Sequence, residues 1–360
     1  MVAQSLSDGF PVKPGSVSEF KRAIVDELDK FILAAVLKDG WRATSIHEIQ
    51  RDQPNRCRTY LARNDAGELG FVKVLPPSTD DLERMRLHLE EFYSEKEIVE
   101  LCGERNMRRI VRAIAFDKLE ASGIVPITIH YLIFEWAPCD MRALATETDE
   151  DQIHAALACL HHMATALHEL HFSRIAHQNL RPAAVLRFDD KSHKLSDFRH
   201  AQRAGAVRTE TASLIDPAHA PPELLYGAST TAFEARYGAD LYQLGALGLH
   251  LLTGVGATVQ LARELASLHH WSIWEGSFSD VIPYLDEAHE RIIQNLQNLL
   301  PASIQKNLSE AIRQLTMPDP VRRGHPVHIE GSGPRYGLER YISLFDLLSR
   351  RFSIATRGAA

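Results

Sequence analysis

The stretch Ile175-Ala176-His177-Gln178-Asn179-Leu180-Arg181-Pro182-Ala183-Ala184-Val185-Leu186, followed by Lys194-Leu195-Ser196-Asp197-Phe198-Arg199, decides how this chain is read. It sets an imidazole (His177), an amide (Asn179), two guanidinium groups (Arg181 and Arg199) and a carboxylate (Asp197) among apolar residues. An amide carbonyl accepts a hydrogen bond but is no useful base near neutral pH. A guanidinium such as that of Arg181 can hold a phosphate through two parallel donors.

Outward from this stretch, a helical half begins at Asp149. Ile153, Leu157, Leu160, Ala164, Leu167 and His171 recur there every three to four residues, the spacing of a helix face. Upstream the pattern is strand-like. Thr59-Tyr60-Leu61-Ala62 and Gly70-Phe71-Val72-Lys73-Val74-Leu75 flank Asn64-Asp65-Ala66-Gly67, a hairpin signal. Strands are expected over 44–75, from Ile110 to Phe116 and from His130 to Trp136. A helix is expected over 80–102, with Leu82, Met85, Leu89, Phe92 and Val99 on one side. Strands therefore dominate before about residue 136 and helices after it, which predicts two segregated lobes in an α+β fold. Residues 1–15 read as a loose arm. Ser16-Val17-Ser18-Glu19 reads as a capping box for a helix carrying Phe20, Ile24, Leu28, Ile32 and Val36, ended by Gly40 and packed on the small lobe. A Gly/Pro-rich linker at 324–337 leads to a terminal amphipathic helix that either caps the large lobe or docks a partner. The expected segments are 1–43, 44–136, 137–325 and 326–360.

Composition narrows the function classes. A chain of 360 residues can bury a large core. With 45% hydrophobic and 24% charged residues, it has an ordinary soluble composition. The net charge of -7 argues against nucleic acid or an anionic membrane as the main partner. Cys57, Cys102, Cys139 and Cys159 form no CxxC pair, so neither a zinc knuckle nor a disulfide framework is expected. No signal peptide is read at the N-terminus. No stretch approaches the roughly 18 apolar residues that span a bilayer. A cytoplasmic protein is the expectation. His161, His162, His168, His171 and His177 lack an obvious acidic or cysteine third ligand, so they are not read as a metal site.

In order and spacing, the motifs resemble the eukaryotic-type protein kinase superfamily. Its pattern is His-Arg-Asp-Leu-x-x-x-Asn, then Asp-Phe-Gly, and the quoted stretch keeps that skeleton. Ala218-His219-Ala220-Pro221-Pro222-Glu223 resembles the Ala-Pro-Glu end of an activation segment. Tyr237-Gly238-Ala239-Asp240-Leu241-Tyr242-Gln243-Leu244-Gly245 resembles the buried helix whose aspartate supports the catalytic-loop backbone. Met317-Pro318-Asp319-Pro320-Val321-Arg322-Arg323 resembles the late motif whose arginine pairs with the activation-segment glutamate, which implies a Glu223–Arg323 ion pair. The resemblance covers residue 44 to about 325. It implies a bilobal protein kinase-like fold with a small β-rich N-lobe and a larger α-helical C-lobe. By that resemblance, Lys73 is the strand lysine that grips nucleotide phosphates and Glu95 is its helix partner. Glu97 points to another side of the helix. Phe71, Glu135, Ala137 and Leu186 fall at nucleotide-contacting positions, Asp197 at the magnesium ligand, and His177, Phe198 and Val99 in the stacked spine of active kinases.

The reactive positions depart from the family pattern. Asn179 stands in place of the aspartate that accepts the substrate proton, and losing a general base typically costs about 10²–10⁴-fold. Ala184 replaces the asparagine that holds a second magnesium. Arg181 replaces a lysine. Gln178 replaces the arginine that receives a phosphorylated activation loop. Arg199 replaces the pivot glycine; its guanidinium either pairs with Asp197 or Glu95, standing in for a bound cation, or is exposed. The phosphate-cradling loop should lie at about 50–58, yet Gln50-Arg51-Asp52-Gln53-Pro54-Asn55-Arg56-Cys57-Arg58 contains no glycine, the residue that lets backbone approach phosphate. Phe71 replaces the alanine that roofs the adenine and fills volume the base needs. Thr209, Thr211 and Ser213 lie in the activation segment. A kept skeleton with thinned chemistry predicts a pseudokinase: a regulatory or scaffolding module for an unidentified protein partner, requiring no cofactor and binding neither nucleic acid nor membrane. Two alternatives remain. One is a divergent Ser/Thr protein kinase in which Lys73, Glu95 and Asp197 hold ATP through one Mg²⁺ while Asn179 orients the hydroxyl. The other is a nucleotide-sensing switch that binds ATP without turnover.

Overall fold

Alternating apolar residues build an antiparallel sheet from β1 (Arg42–Ile46), β2 (Arg58–Arg63), β3 (Leu69–Leu75), β4 (Ala113–Ala121) and β5 (Ile127–Glu135), in the order β1-β2-β3-β5-β4. The computed structural model describes residues 17–47, 57–76, 82–121, 127–142, 149–205, 216–228 and 232–357. Two units divide the chain. The first runs to Arg105 and resumes over Val111–Trp136; the second takes Asn106–Ile110 and everything from Ala137 onward.

In the first unit Tyr60, Ala62, Val72, Val74, Tyr131 and Ile133 share one buried cluster with Leu28 and Ile32 of α1 (Val17–Ala34). The N-terminal helix is therefore part of this unit's core. Trp41 belongs to the same cluster and lies over Gly70, where a Cβ would meet the indole at 2.5 Å. Asp29, buried on α1, accepts from the Tyr60 hydroxyl at 2.6 Å and from Arg58 Nε at 3.0 Å. This ties the helix to the start of β2. The β2–β3 hairpin closes through Gly67 N–H on Asn64 O at 3.0 Å, with Gly67 at φ 83°, a conformation that costs glycine little. α2 (Leu82–Glu104) buries Phe92, Glu95 and Val99 and exposes Glu97.

The second unit is helical. Its first helix, α3 (Asp149–Phe172), is followed by short strand pairs: β6 (Cys139–Asp140) with β8 (Val185–Arg187), β8 with β9 (His193–Leu195), and β7 (Ile175–Ala176) with β10 (Gln202–Arg203). Then come α4 (Pro222–Leu225), α5 (Glu234–Thr253), α6 (Ala257–Glu264), α7 (Phe278–Leu299), α8 (Gln305–Leu315), α9 (Pro326–Glu330) and α10 (Glu339–Arg357). α5 is buried from Gly238 to Leu249 without interruption. Its Gly248 meets α8 so closely that a Cβ would stand 2.5 Å from Ile312 Cδ1. α10 packs on α3 and buries Tyr341, Phe345, Leu348 and Phe352. The terminal helix thus caps this unit.

Several boundaries differ from expectation. The first helix stops at Ala34, and Gly40 instead closes a tight turn at Lys38–Gly40. The Lys38 N–H donates to the Tyr131 hydroxyl at 2.8 Å and Leu37 N–H to Trp41 O at 2.8 Å; these bonds turn the chain into β1 and leave Val36 exposed. The strand expected from Ile110 begins at Ala113, because Ile110 forms an isolated parallel bridge to Leu195 in the second unit. The linker at 324–337 contains α9. The capping residue Ser16, the greater part of the glycine-poor loop at 50–58, and Thr209, Thr211 and Ser213 lie outside the described residues. Among the described residues no single helix is long and apolar enough to cross a membrane, and no group of three or more His, Cys, Asp or Glu suits a metal ion. No disulfide joins Cys57, Cys102, Cys139 or Cys159.

Two outcomes follow from this packing. Asp29→Ala deprives the buried Tyr60 hydroxyl and Arg58 of their acceptor and should cost about 1–3 kcal/mol in urea denaturation. Burial pushes His193 down to about 4, and His162 and His289 to about 3, from an ordinary 6.5. The folded state keeps these rings neutral while the unfolded chain takes up protons below 6.5. Above that pH the rings are neutral in both states and add no pH dependence; below it they destabilise the fold progressively, down to about pH 4 for His193 and about pH 3 for His162 and His289. Thermal midpoints should fall across that window, and less steeply in His193→Gln.

Candidate active site

Strand alternation puts Lys73 on the face of β3 opposite the α1 core, toward α2. Its Nζ lies 2.5 Å from Glu95 Oε2, with the carboxylate side chain 2% exposed. Phe71, one step along the same face, is half-buried. It meets the His47 ring edge-on at 5.5 Å, and His47 meets Trp136 edge-on at 5.4 Å. The Glu135 carboxylate accepts from Arg112 N–H at 2.8 Å, and Glu135 N–H donates to Arg112 O.

In the second unit the site is built around Asp240, which is fully buried on α5. Its carboxylate accepts from His177 N–H at 2.9 Å, Gln178 N–H at 2.6 Å and His171 Nε2 at 2.8 Å. Gln243, one turn further along α5, accepts from Leu180 N–H and donates to Gln178 O. Four backbone and side-chain anchors thus fix the loop at 177–180. His177 Nε2 donates to Ser196 O at 3.0 Å, and Asn179 N–H points to His177 Nδ1. The ring is therefore the neutral Nε2–H tautomer. It meets Phe198 edge-on at 5.0 Å.

The loop delivers its side chains to Asp197, a residue with φ 63°. That carboxylate accepts from Asn179 Nδ2 at 2.9 Å, Arg181 Nη2 at 3.2 Å, Arg199 Nε at 3.1 Å and Arg199 Nη2 at 3.3 Å. One carboxylate thus carries two permanent cations and an amide. Mg²⁺ requires near-octahedral oxygen ligands at about 2.0–2.1 Å, so it cannot approach until those donors withdraw. Arginine does not lose its proton, so no ordinary change of pH clears them. Gln178 spends its side chain on His200 O at 3.0 Å. Leu186 sits half-buried on β8 opposite Lys194, and Ala137 is half-buried where the second unit resumes.

Glu223 and Arg323 form the ion pair implied by their motifs. The contact is bidentate, at 2.7 and 2.8 Å, and Arg323 is fully buried. The remaining donors reach Met317, Gly238 and Pro318 carbonyls, so all five N–H groups are used.

The structure brings Asn179, Arg181, Asp197 and Arg199 together in the second unit, and Lys73 with Glu95 in the first. Sequence reasoning gave no role to Gln243 or His47. Gln243 had a signal: three residues after Asp240, it shares that helix face. His47 had none.

The chain matches the protein kinase domain family over residues 57–323 and belongs to that family. It is 33% identical over 101 residues to serine/threonine-protein kinase SBK1 of Danio rerio, covering 28% of this chain and 26% of that protein. It is 26% identical over 159 residues to cyclin-dependent kinase C-2 of Oryza sativa subsp. japonica, covering 41% and 30%. It is 24% identical over 230 residues to CTD kinase subunit alpha of Saccharomyces cerevisiae, covering 60% and 41%. The aligned parts thus span between about a quarter and two fifths of these relatives.

Arg323→Met leaves Glu223 as a buried, uncompensated charge. Chemical denaturation should show a loss of about 3–5 kcal/mol, with a partial return in Arg323→Met combined with Glu223→Gln.

Proposed function

We propose that this protein kinase domain serves as a pseudokinase, a regulatory or scaffolding module that binds another protein and transfers phosphate slowly or not at all. The observation that carries this reading is the set of donors on Asp197. Arg181, Arg199 and Asn179 occupy the carboxylate that a kinase of this family offers to magnesium. Asn179 also supplies no base, and Ala184 supplies no second metal ligand. In the first unit the Phe71–His47–Trp136 cluster puts aromatic bulk at a position where the family seats adenine. Such a domain would need no cofactor. Its partner is a protein rather than nucleic acid or membrane, in keeping with a net charge of -7. Four cysteines without a disulfide suit a reducing, cytoplasmic setting.

A second reading has one observation in its favour. The Lys73–Glu95 pair is intact, and its role in the family is to hold ATP phosphates. On that reading the chain is a divergent Ser/Thr kinase, or a nucleotide sensor, using ATP with one Mg²⁺.

Thermal shift separates the readings. The wild-type midpoint should not move with ATP, with or without Mg²⁺, whereas Arg199→Gly combined with Asn179→Asp should gain a Mg²⁺-dependent rise. Phosphate transfer by the wild type at about 1–100 s⁻¹, the range of ordinary kinases, abolished by Lys73→Met, would overturn the pseudokinase reading.

A further inference from the structure

Arg199 reaches Asp197 from a turn that is pinned on both sides. The turn Phe198–His200 follows Asp197, whose backbone sits at φ 63° and ψ 64°, and it closes through Ala201 N–H on Phe198 O at 3.0 Å. Before Arg199, the Phe198 ring is fully buried and meets His177 edge-on at 5.0 Å. After it, the His200 carbonyl accepts from Gln178 Nε2 at 3.0 Å. Both pins come from consecutive residues of the 177–180 loop, and Asp240 accepts from the backbone N–H of each.

Gln178 divides its groups between the two sides. Its N–H donates to Asp240 and its carbonyl accepts from Gln243, while its side-chain amide goes to the turn. Changing the side chain therefore removes the bond to His200 O and leaves both backbone anchors of the loop in place. Methionine there keeps a side chain of similar length at the same φ of 62° and lacks the donor. The Arg199 bonds to Asp197, at 3.1 and 3.3 Å, are at the long end of the range for such contacts. A small shift of the turn is enough to break them.

We propose that Gln178 is a positioning residue for the closed state of this site: by holding His200 O it seats the Arg199 guanidinium on Asp197, and loss of its amide opens that carboxylate to a divalent cation from the Arg199 side. This rests on the reading above, in which the donors on Asp197 keep magnesium out. The residue that stands where the family receives a phosphorylated loop thus acts inward, on the metal-binding position.

The test uses the full chain and Mg²⁺ alone, read as the thermal midpoint against Mg²⁺ concentration. Asn179→Asp is the common background, because it turns an uncharged donor on Asp197 into a second carboxylate. Adding Gln178→Met should lower the half-maximal Mg²⁺ concentration at least about tenfold, the low end of the roughly 10–100-fold range over which partners of metal ligands act. Gln178→Ala should do the same. Arg199→Gly should give a gain of similar size, and Gln178→Met with Arg199→Gly should give no more than Arg199→Gly, because one residue acts through the other. Ser196→Ala, which removes the Oγ bond to Ala184 O from the residue before Asp197, should lower the midpoint without any Mg²⁺ response. Midpoints without Mg²⁺ show that each variant is folded; if Gln178→Met and Gln178→Ala both fail to fold, the residue is structural and the inference is overturned. It is also overturned if the Gln178 variants respond no better than Asn179→Asp, if Arg199→Gly adds a further tenfold to Gln178→Met, or if Ser196→Ala responds equally. A response to Arg199→Gly without one to Gln178→Met ends this inference and leaves the pseudokinase reading standing; no response to either removes the blocked carboxylate from both.

Discussion

A single buried carboxylate, that of Asp240, holds the second unit's functional loop in place. It has no solvent, and an ionised carboxylate without partners would be strongly penalised there. Two consecutive backbone N–H groups, from His177 and Gln178, and the His171 ring satisfy it. In return, the backbone at Gln178 is held at φ 62°, a conformation sparsely populated for a residue with a side chain. The neutral His177 ring, fixed by Ser196 O, then carries Phe198. Every side chain that reaches Asp197 from the loop depends on this anchoring.

The same framework extends to a second set of buried polar groups. Asp240, Gln243, Glu223 and Arg323 are all buried and fully engaged with backbone groups or with one another. Removing any of them strands a polar partner in the interior, at about 1–3 kcal/mol or more for each group left unmade. Asn179, Arg181 and Arg199 all reach Asp197, although the buried Arg181 Nε has no hydrogen-bond partner among the described residues, and Ala184 is buried. Arg199 is the clearest case: it gives the Asp197 carboxylate two of its hydrogen bonds.

Much of this was legible before any coordinates. The two-lobed α+β arrangement follows from period-two patterning before residue 136 and helical patterning after it. Lys73, Glu95, Asp197, Asp240, Glu223 and Arg323 were all marked by motif order. Boundaries were less legible. The first helix ends at Ala34 because Tyr131, from a strand far along the chain, captures Lys38 N–H. Ile110 leaves its expected strand for a bridge to Leu195. His47 and Trp136, remote in sequence, become neighbours of Phe71 only when the sheet forms.

The sequence alone determined which groups are present: an amide at Asn179, guanidinium groups at Arg181 and Arg199, and a methyl group at Ala184. Those identities are local, and their chemistry does not depend on folding. Only the tertiary structure decided where the charges go. Arg199 had Asp197 and Glu95 as acceptors open to it, and spacing could not rank them; the short turn after Asp197 lays its guanidinium on that carboxylate beside Arg181. An ion pair depends on distances of a few ångströms, and those distances are set by the packing of α3 and α5 around the loop, not by the order of residues along it.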